Sequence, residues 1–319
     1  MSAQPLVSVV MPVYNHERYV QDAIRSVMNQ TYQNIQLIVI DDGSKDSSWQ
    51  KVQEMRAECE KRFMYFYATT KENEGIAVTF NKMLEQVRGD YCYLLASDDL
   101  VVPHAIERLV KELQSGDCIL AVGNKCFVDA EGNRVGCDEN FSPVPLSEAK
   151  YKTFCDFYID ITGEDLYHSD NFGSYKTLLV RNYIPNGSLY KSSAVKRLYF
   201  TKEAPLEDWF LHLQLSKMGK YKFIDDILFL YRLHGNNAIG NKKRLMEISQ
   251  KTLDYERRLY ENSQQFMDVF QRVFIDKYYL NLGFLKVYKK KYLTEKDYCL
   301  SIFHKEFIFH KKFTKLKSS

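Results

Sequence analysis

Hydrophobic positions along the first 120 residues switch between two periods, and the switching predicts a repeated strand–helix unit. Leu6–Tyr14 is an apolar run closed by Pro12, and Arg18–Gln30 follows with Val20, Ile24 and Val27 at helical spacing. Ile35–Ile40 is nearly all aliphatic, and Ser47–Arg62 after it suits a helix opened by Asp46 or Ser47 as cap. A short strand around Met64–Ala68, a helix near Ile76–Val87, a strand at Tyr91–Ala96 and a helix over Pro103–Leu113 continue the series. Runs without internal alternation, such as Leu37–Ile40, predict strands covered on both faces, as in a mostly parallel sheet.

Beyond that point the pattern changes. Cys118–Val128 predicts another strand, with a turn over Asp129–Asn133. The stretch from Asp138 to about Phe200 is rich in Tyr, Ser, Asn and Gly and holds Pro143, Pro145 and Pro185, so irregular structure around a groove is expected. Glu207–Met218 predicts a helix, Lys222–Tyr231 a strand, and Asn241 onward a series of basic helices. The division that follows is a catalytic domain over 1–240, with a nucleotide-binding part (1–128) and an acceptor part (129–240), and a basic, aromatic-rich helical extension over 241–319.

Charge sharpens this division. Of 44 Lys+Arg and 41 Asp+Glu, 18 and 9 fall in 241–319, so that segment carries +9 and the first 240 residues −6. An acidic front disfavours polyanions and suits a divalent cation, while the basic rear suits a phosphate-bearing surface. The seven cysteines form no CxxC pair, which argues for reduced, buried thiols over a disulfide or zinc framework. No apolar run is long enough for a membrane span, and Met1–Pro5 lacks a basic leader, so a soluble cytoplasmic protein is expected.

Five adjacent acid pairs stand out: Asp41-Asp42, Asp98-Asp99, Glu164-Asp165, Glu207-Asp208 and Asp225-Asp226. The first two follow directly on buried strands, and in an open parallel sheet such strand ends converge on the ligand crevice. Carboxylates gathered there repel one another unless a cation or hydrogen-bond donors intervene. A hard cation, Mg²⁺ or Mn²⁺, takes oxygen ligands from protein carboxylates and substrate phosphates and eases departure of a diphosphate. Asp98-Asp99 fits that role, and Asp42 fits recognition of a uracil imide. Glu164-Asp165 and Asp225-Asp226 are set aside, the latter because it is expected to precede its strand. The absence of G-x-G-x-x-G after the first strand disfavours an NAD-dependent enzyme.

Pro12-Val13-Tyr14-Asn15, Val27-Met28-Asn29-Gln30-Thr31-Tyr32, Ile40 to Asp46, Asn73-Glu74-Gly75 with Asn81, Ser97-Asp98-Asp99, Glu207-Asp208-Trp209 and Tyr231-Arg232-Leu233-His234 resemble, in order, the motifs of the family 2 inverting glycosyltransferases. The resemblance spans about Pro5 to Asn237 and implies a GT-A fold, a Rossmann-like, mostly parallel sheet flanked by helices. By the same resemblance Pro12, Val13, Tyr14, Asp41 and Asp42 hold the uridine of a UDP-sugar, with Asn81 in the cofactor-binding set. Asp98 lies at the ribose or donor sugar, and Asp99 ligates Mn²⁺ or Mg²⁺. Ala96 stands where many members have an acid, which weakens the ribose contact more than the metal contact.

Asp208 is implied to be the general base that deprotonates an acceptor hydroxyl as it attacks the anomeric carbon with inversion. The pair Glu207-Asp208 also suits a helix N-terminus meeting the dipole. Arg232 and His234 are implied at the diphosphate and the metal, respectively, with Lys71 a looser phosphate candidate. The acceptor implied is a saccharide on a lipid-linked glycan or lipo-oligosaccharide in bacterial surface polysaccharide assembly. The lysines and aromatics of Phe266–Lys317, including Lys289-Lys290-Lys291 and Lys311-Lys312, suit either a bundle packed on the catalytic domain or a peripheral inner-membrane contact. No nucleic-acid module accompanies them. A non-catalytic nucleotide-binding scaffold is the alternative function.

Overall fold

The computed structural model describes residues 4–139, 141–235 and 242–260, excluding the side chains of Lys242 and Tyr260. The first half realises the strand–helix series: β1 (Val7–Val13), α1 (Val20–Met28), β2 (Ile35–Asp41), α2 (Ser48–Glu54), α3 (Arg56–Arg62), β3 (Tyr65–Thr70), α4 (Ile76–Gln86), β4 (Tyr91–Leu94), β5 (Leu100–Val101), α5 (Ala105–Ser115) and β6 (Cys118–Val128). The expected Ser47–Arg62 helix is two helices that meet at Met55, whose N–H bonds back to Val52 in a tighter turn. Ser47 occupies the cap position without a side-chain bond, and Asp46 accepts from Ser48 N–H at 3.0 Å instead.

The second half, expected from the sequence to meet the acceptor, holds β7 (Arg134–Cys137), β8 (Pro143–Val144), α6 (Phe154–Thr162), α7 (Tyr175–Val180), β9 (Leu189–Lys191), α8 (Ser192–Val195), α9 (Glu207–Leu215) and β10 (Lys220–Arg232), and then α10 (Lys242–Tyr260). The sheet runs β3-β2-β1-β4-β9-β6-β10-β5. Strands β3, β2, β1 and β4 are mutually parallel, β6 and β10 are parallel, and β9 runs antiparallel between β4 and β6. The fold is thus α/β with a mostly parallel sheet, covered on one face by α1, α2, α3 and α5 and on the other by α4, α6, α7 and α9. Seven consecutive buried positions in β2 fit a strand covered on both faces.

The segment expected to be irregular is more ordered than its composition suggested. Thr153 and Asp156 form a capping box on α6, and Ser174 caps α7. Aromatic contacts take the place of amphipathic periodicity: Tyr158–Tyr183 at 5.5 Å, Phe172–Tyr183 at 5.8 Å and Tyr167–Phe223 at 5.0 Å between ring centroids. Asp225-Asp226 does not precede its strand; it lies within β10 at the irregularity between Ile224 and Ile227, where a bulge turns both acids outward.

Helix α10 packs into the same core as the acceptor half through Leu253. Buried Glu256 accepts from Tyr175 Oη at 2.7 Å and Gln214 Nε2 at 2.6 Å and pairs with Lys217, while Thr252 Oγ1 accepts the Leu206 N–H at 3.0 Å. That last bond fixes the entry to α9. The domain boundary near 240 and residues 261–319, with the expected membrane-facing lysines, lie outside the described residues. Among the described residues no helix is long and apolar enough to cross a membrane, and the six cysteines are free.

Candidate active site

The loops after β1, β2 and β4 meet at one end of the sheet. Asn15 adopts a left-handed φ of 55°, and its Oδ1 accepts from Lys45 N–H at 2.8 Å while its own N–H donates to Ser44 Oγ at 2.9 Å. Gly43, at φ 70°, approaches the 71–73 segment so closely that a Cβ would come 2.7 Å from Asn73 N. These contacts fold the loops after β1 and β2 into one unit.

Asp41 and Asp42 are consumed in building that unit. Asp41 Oδ2 accepts from Ser44 N–H at 3.2 Å and Thr70 Oγ1 at 2.8 Å. Asp42 accepts from Glu74 N–H and Gly75 N–H, each at 3.0 Å, and pairs with Lys71. Lys71 therefore sits on the carboxylate expected to meet the base. Pro12 and Val13 end β1, the Val13 carbonyl accepts the Asp42 N–H at 2.8 Å, and Tyr14 stands 45% exposed.

Asp98 and Asp99 have opposite surroundings. Asp98 Oδ2 lies 3.1 Å from His234 Nε2 and 3.8 Å from His16 Nε2, and His16 Nδ1 contacts Ser97 Oγ at 2.8 Å. Burial pushes the Asp98 carboxyl up, but the His234 hydrogen bond and the two imidazoles outweigh it and hold it below the ordinary range. Asp99 turns inward: its Oδ1 accepts the Arg232 N–H at 2.9 Å. Burial and then the Asp98 charge push Asp99 well above its usual value.

Two candidates lie elsewhere than expected. Arg232 is fully buried; its Nε donates to the Asp98 carbonyl at 2.8 Å and a terminal nitrogen to the Ala130 carbonyl at 2.8 Å, with the guanidinium 5.0 Å from the Tyr19 ring centroid. It braces the acid loop and does not face solvent where a diphosphate would lie. Asn81 exchanges both ends of its amide with the Phe200 backbone at 2.8 Å, tying α4 to the acceptor half.

Asp208 opens α9 and is partly exposed. Its Oδ1 accepts the Trp209 N–H at 2.6 Å, and the Asn182 side chain favours the ionised carboxylate. Burial raises its pKa against these donors and the Lys125 charge, while burial and then the Asp208 charge push neighbouring Glu207 to about 8. Lys125, on β6, is 3% exposed, bonds Asn186 Oδ1 at 2.6 Å and lies 4.0 Å from the Phe154 ring centroid. Its ammonium is lowered to about 8 by burial, against the charges of Asp99 and Asp208. Lys125 and His16 escaped the motif reading. A lone lysine inside the otherwise apolar Cys118–Val128 run was the available signal for the first.

Among the described residues no set of three His, Cys, Asp or Glu is arranged to hold a metal unaided. The donor set at Asp98, an ionised carboxylate oxygen beside the ring nitrogens of His234 and His16, still fits a hard or borderline cation that completes its shell with phosphate oxygens and water.

The comparisons agree with this architecture. Residues 8–176, more than half of the chain, match the model of glycosyl transferase family 2. An uncharacterized glycosyltransferase of Haemophilus influenzae is 32% identical over 240 residues, 73% of this chain and 67% of that protein. A second from the same organism is 40% identical over 131 residues, 41% of this chain and about half (51%) of its own length. S. aureus TarS 1–349, solved with UDP-GlcNAc, superposes with a TM-score of 0.57 at 16% identity over 93% of this chain and 79% of TarS 1–349. The mannosyltransferase PcManGT of Pyrobaculum calidifontis, solved with GDP-Man and Mn²⁺, gives 0.60 at 12% identity over 99% and 85%. Likeness at that identity shows a shared fold, the GT-A arrangement expected from the motifs. On the family match and the Haemophilus relative, the chain belongs to glycosyl transferase family 2.

Proposed function

We propose that the chain is an inverting glycosyltransferase that moves a hexose or N-acetylhexosamine from a UDP-sugar to a saccharide acceptor. What supports this reading is the meeting of the loops after β1, β2 and β4 at one end of the sheet, with the Asp98 carboxylate beside His234 and His16, and a Lys125 charge felt by both Asp99 and Asp208. The complexes of TarS with UDP-GlcNAc and of PcManGT with GDP-Man support a nucleotide-sugar donor.

Mn²⁺ or Mg²⁺ would be held by Asp98 and His234, with Asp99 behind them on the Arg232 N–H in place of the ligand role expected from the motif, and the ion would neutralise the diphosphate leaving group. The loop built by Asp41, Asp42, Gly43 and Lys71 receives the nucleotide, with Tyr14 at its rim. Arg232 and His16 keep the Asp98-Asp99 loop in shape. Asp208 takes the proton from the acceptor hydroxyl as that oxygen attacks the anomeric carbon from the face opposite the diphosphate, so configuration inverts. Asp208 acts when ionised, and Lys125 favours that form. The acceptor class we favour is a lipid-linked oligosaccharide or lipo-oligosaccharide of a bacterial surface, met at the cytoplasmic face of the inner membrane.

The test is nucleoside diphosphate release from a panel of UDP- and GDP-sugars with Mn²⁺. Release from a UDP-sugar that stops with EDTA and in Asp98→Asn supports the reading. Silence across the panel by folded protein supports a non-catalytic scaffold.

A further inference from the structure

Behind Asp208 runs a line of polar groups that the proposed transfer does not itself use. Asn182, between α7 and β9, favours the ionised form of the Asp208 carboxylate through its side chain. Its Oδ1 lies 3.3 Å from Nδ1 of His212, one helical turn beyond Asp208 on α9. His212 Nε2 in turn lies 3.1 Å from the Tyr190 hydroxyl on β9. His212 and Tyr190 are each 3% exposed, so water does not substitute for these partners.

Chemistry gives the line a direction. An ionised carboxylate only accepts, so Asn182 must turn its NH₂ to Asp208 and its oxygen to His212. That oxygen needs a donor, so the His212 proton sits on Nδ1, Nε2 carries the lone pair and Tyr190 donates to it. We infer that Asn182, His212 and Tyr190 form a one-way hydrogen-bond relay that positions the Asp208 carboxylate toward the acceptor hydroxyl, an inference that rests on Asp208 being the base. Burial supports the neutral ring the relay requires, pushing the His212 imidazole down to about 3. These three are positioning residues: none touches a reacting atom.

The relay is tested on the unmodified chain by ¹⁵N NMR of histidine-labelled protein between pH 6 and 8. The expected result is a neutral His212 with its proton on Nδ1 and no titration in that range. A proton on Nε2, or a ring that titrates there, overturns the relay whether or not Asp208 is the base. Activity gives a second reading. His212→Leu keeps the volume and removes the donor, and kcat should fall by about 10²-fold with the donor KM unchanged. His212→Asn restores an N–H near the Nδ1 position and should recover most of that loss. A folded His212→Leu with wild-type kcat overturns the proposal, as does equal impairment of both variants. Wild-type transfer by Asp208→Asn would instead remove the base reading, while the NMR result still reports on the relay.

Discussion

The proposed nucleotide side and the proposed acceptor side of the site hold their acids differently. Asp41 and Asp42 each accept several protein donors, and Gly43 and Asn15 take left-handed backbone so that those donors arrive. Asp208 has the Trp209 N–H and Asn182, and burial leaves its carboxyl raised. A carboxylate saturated by protein donors shapes a loop, whereas a half-buried one with few donors keeps the capacity to take a proton. Neutral Asn and charged Asp should therefore be interchangeable in different degrees on the two sides.

The largest contrast is expected at Asp208. Asp208→Asn should lower kcat by about 10²–10⁴-fold while leaving donor affinity intact, read by single-turnover transfer beside calorimetric donor binding. Asp42→Asn should do the reverse, weakening donor binding more than the turnover of bound donor. Next comes the support under α9. Glu256→Leu strands Lys217 without its buried carboxylate and should cost about 3–5 kcal/mol, read as a lowered denaturation midpoint. Gly43→Ala should cost about 1–3 kcal/mol through its positive φ and the clash with Asn73, with donor binding weakened alongside.

The smallest effect is a displacement on the pH axis. In its proposed role as base Asp208 must be ionised, and its raised pKa then predicts a rate that falls as pH drops through a value above the ordinary carboxylate range. The Lys125 charge opposes that rise. Lys125→Met should move the acidic limb of kcat upward by about 1 pH unit, and a downward or absent displacement would separate Lys125 from the base.

The same contrast explains what the sequence disclosed. On the nucleotide side Tyr14, Asp42 and Asp98 lie within four residues of the end of a buried strand, so hydrophobic period and motif point to the same place; β1, β2, α4 and β6 fall within a residue or two of expectation. In the acceptor half, α6 and α7 are short and held by Tyr–Tyr and Tyr–Phe contacts between distant segments, which leave no local period to read. Arg232 and Asn81 were legible as important but not as inward-facing, because a motif names a residue and not the direction of its side chain. Lys125 and the Asn182–His212–Tyr190 line depend on β9 entering the sheet between β4 and β6, a topology that no periodicity announces.

The most direct measurement is a crystal structure of the chain with Mn²⁺ and a non-hydrolysable UDP-sugar. The account predicts the diphosphate and cation beside Asp98, Asp99 and His234, with the anomeric carbon between them and the Asp208 carboxylate. A nucleotide bound away from the Asp41-Asp42 and Asp98-Asp99 loops, or a donor sugar whose open face turns from Asp208, would contradict it.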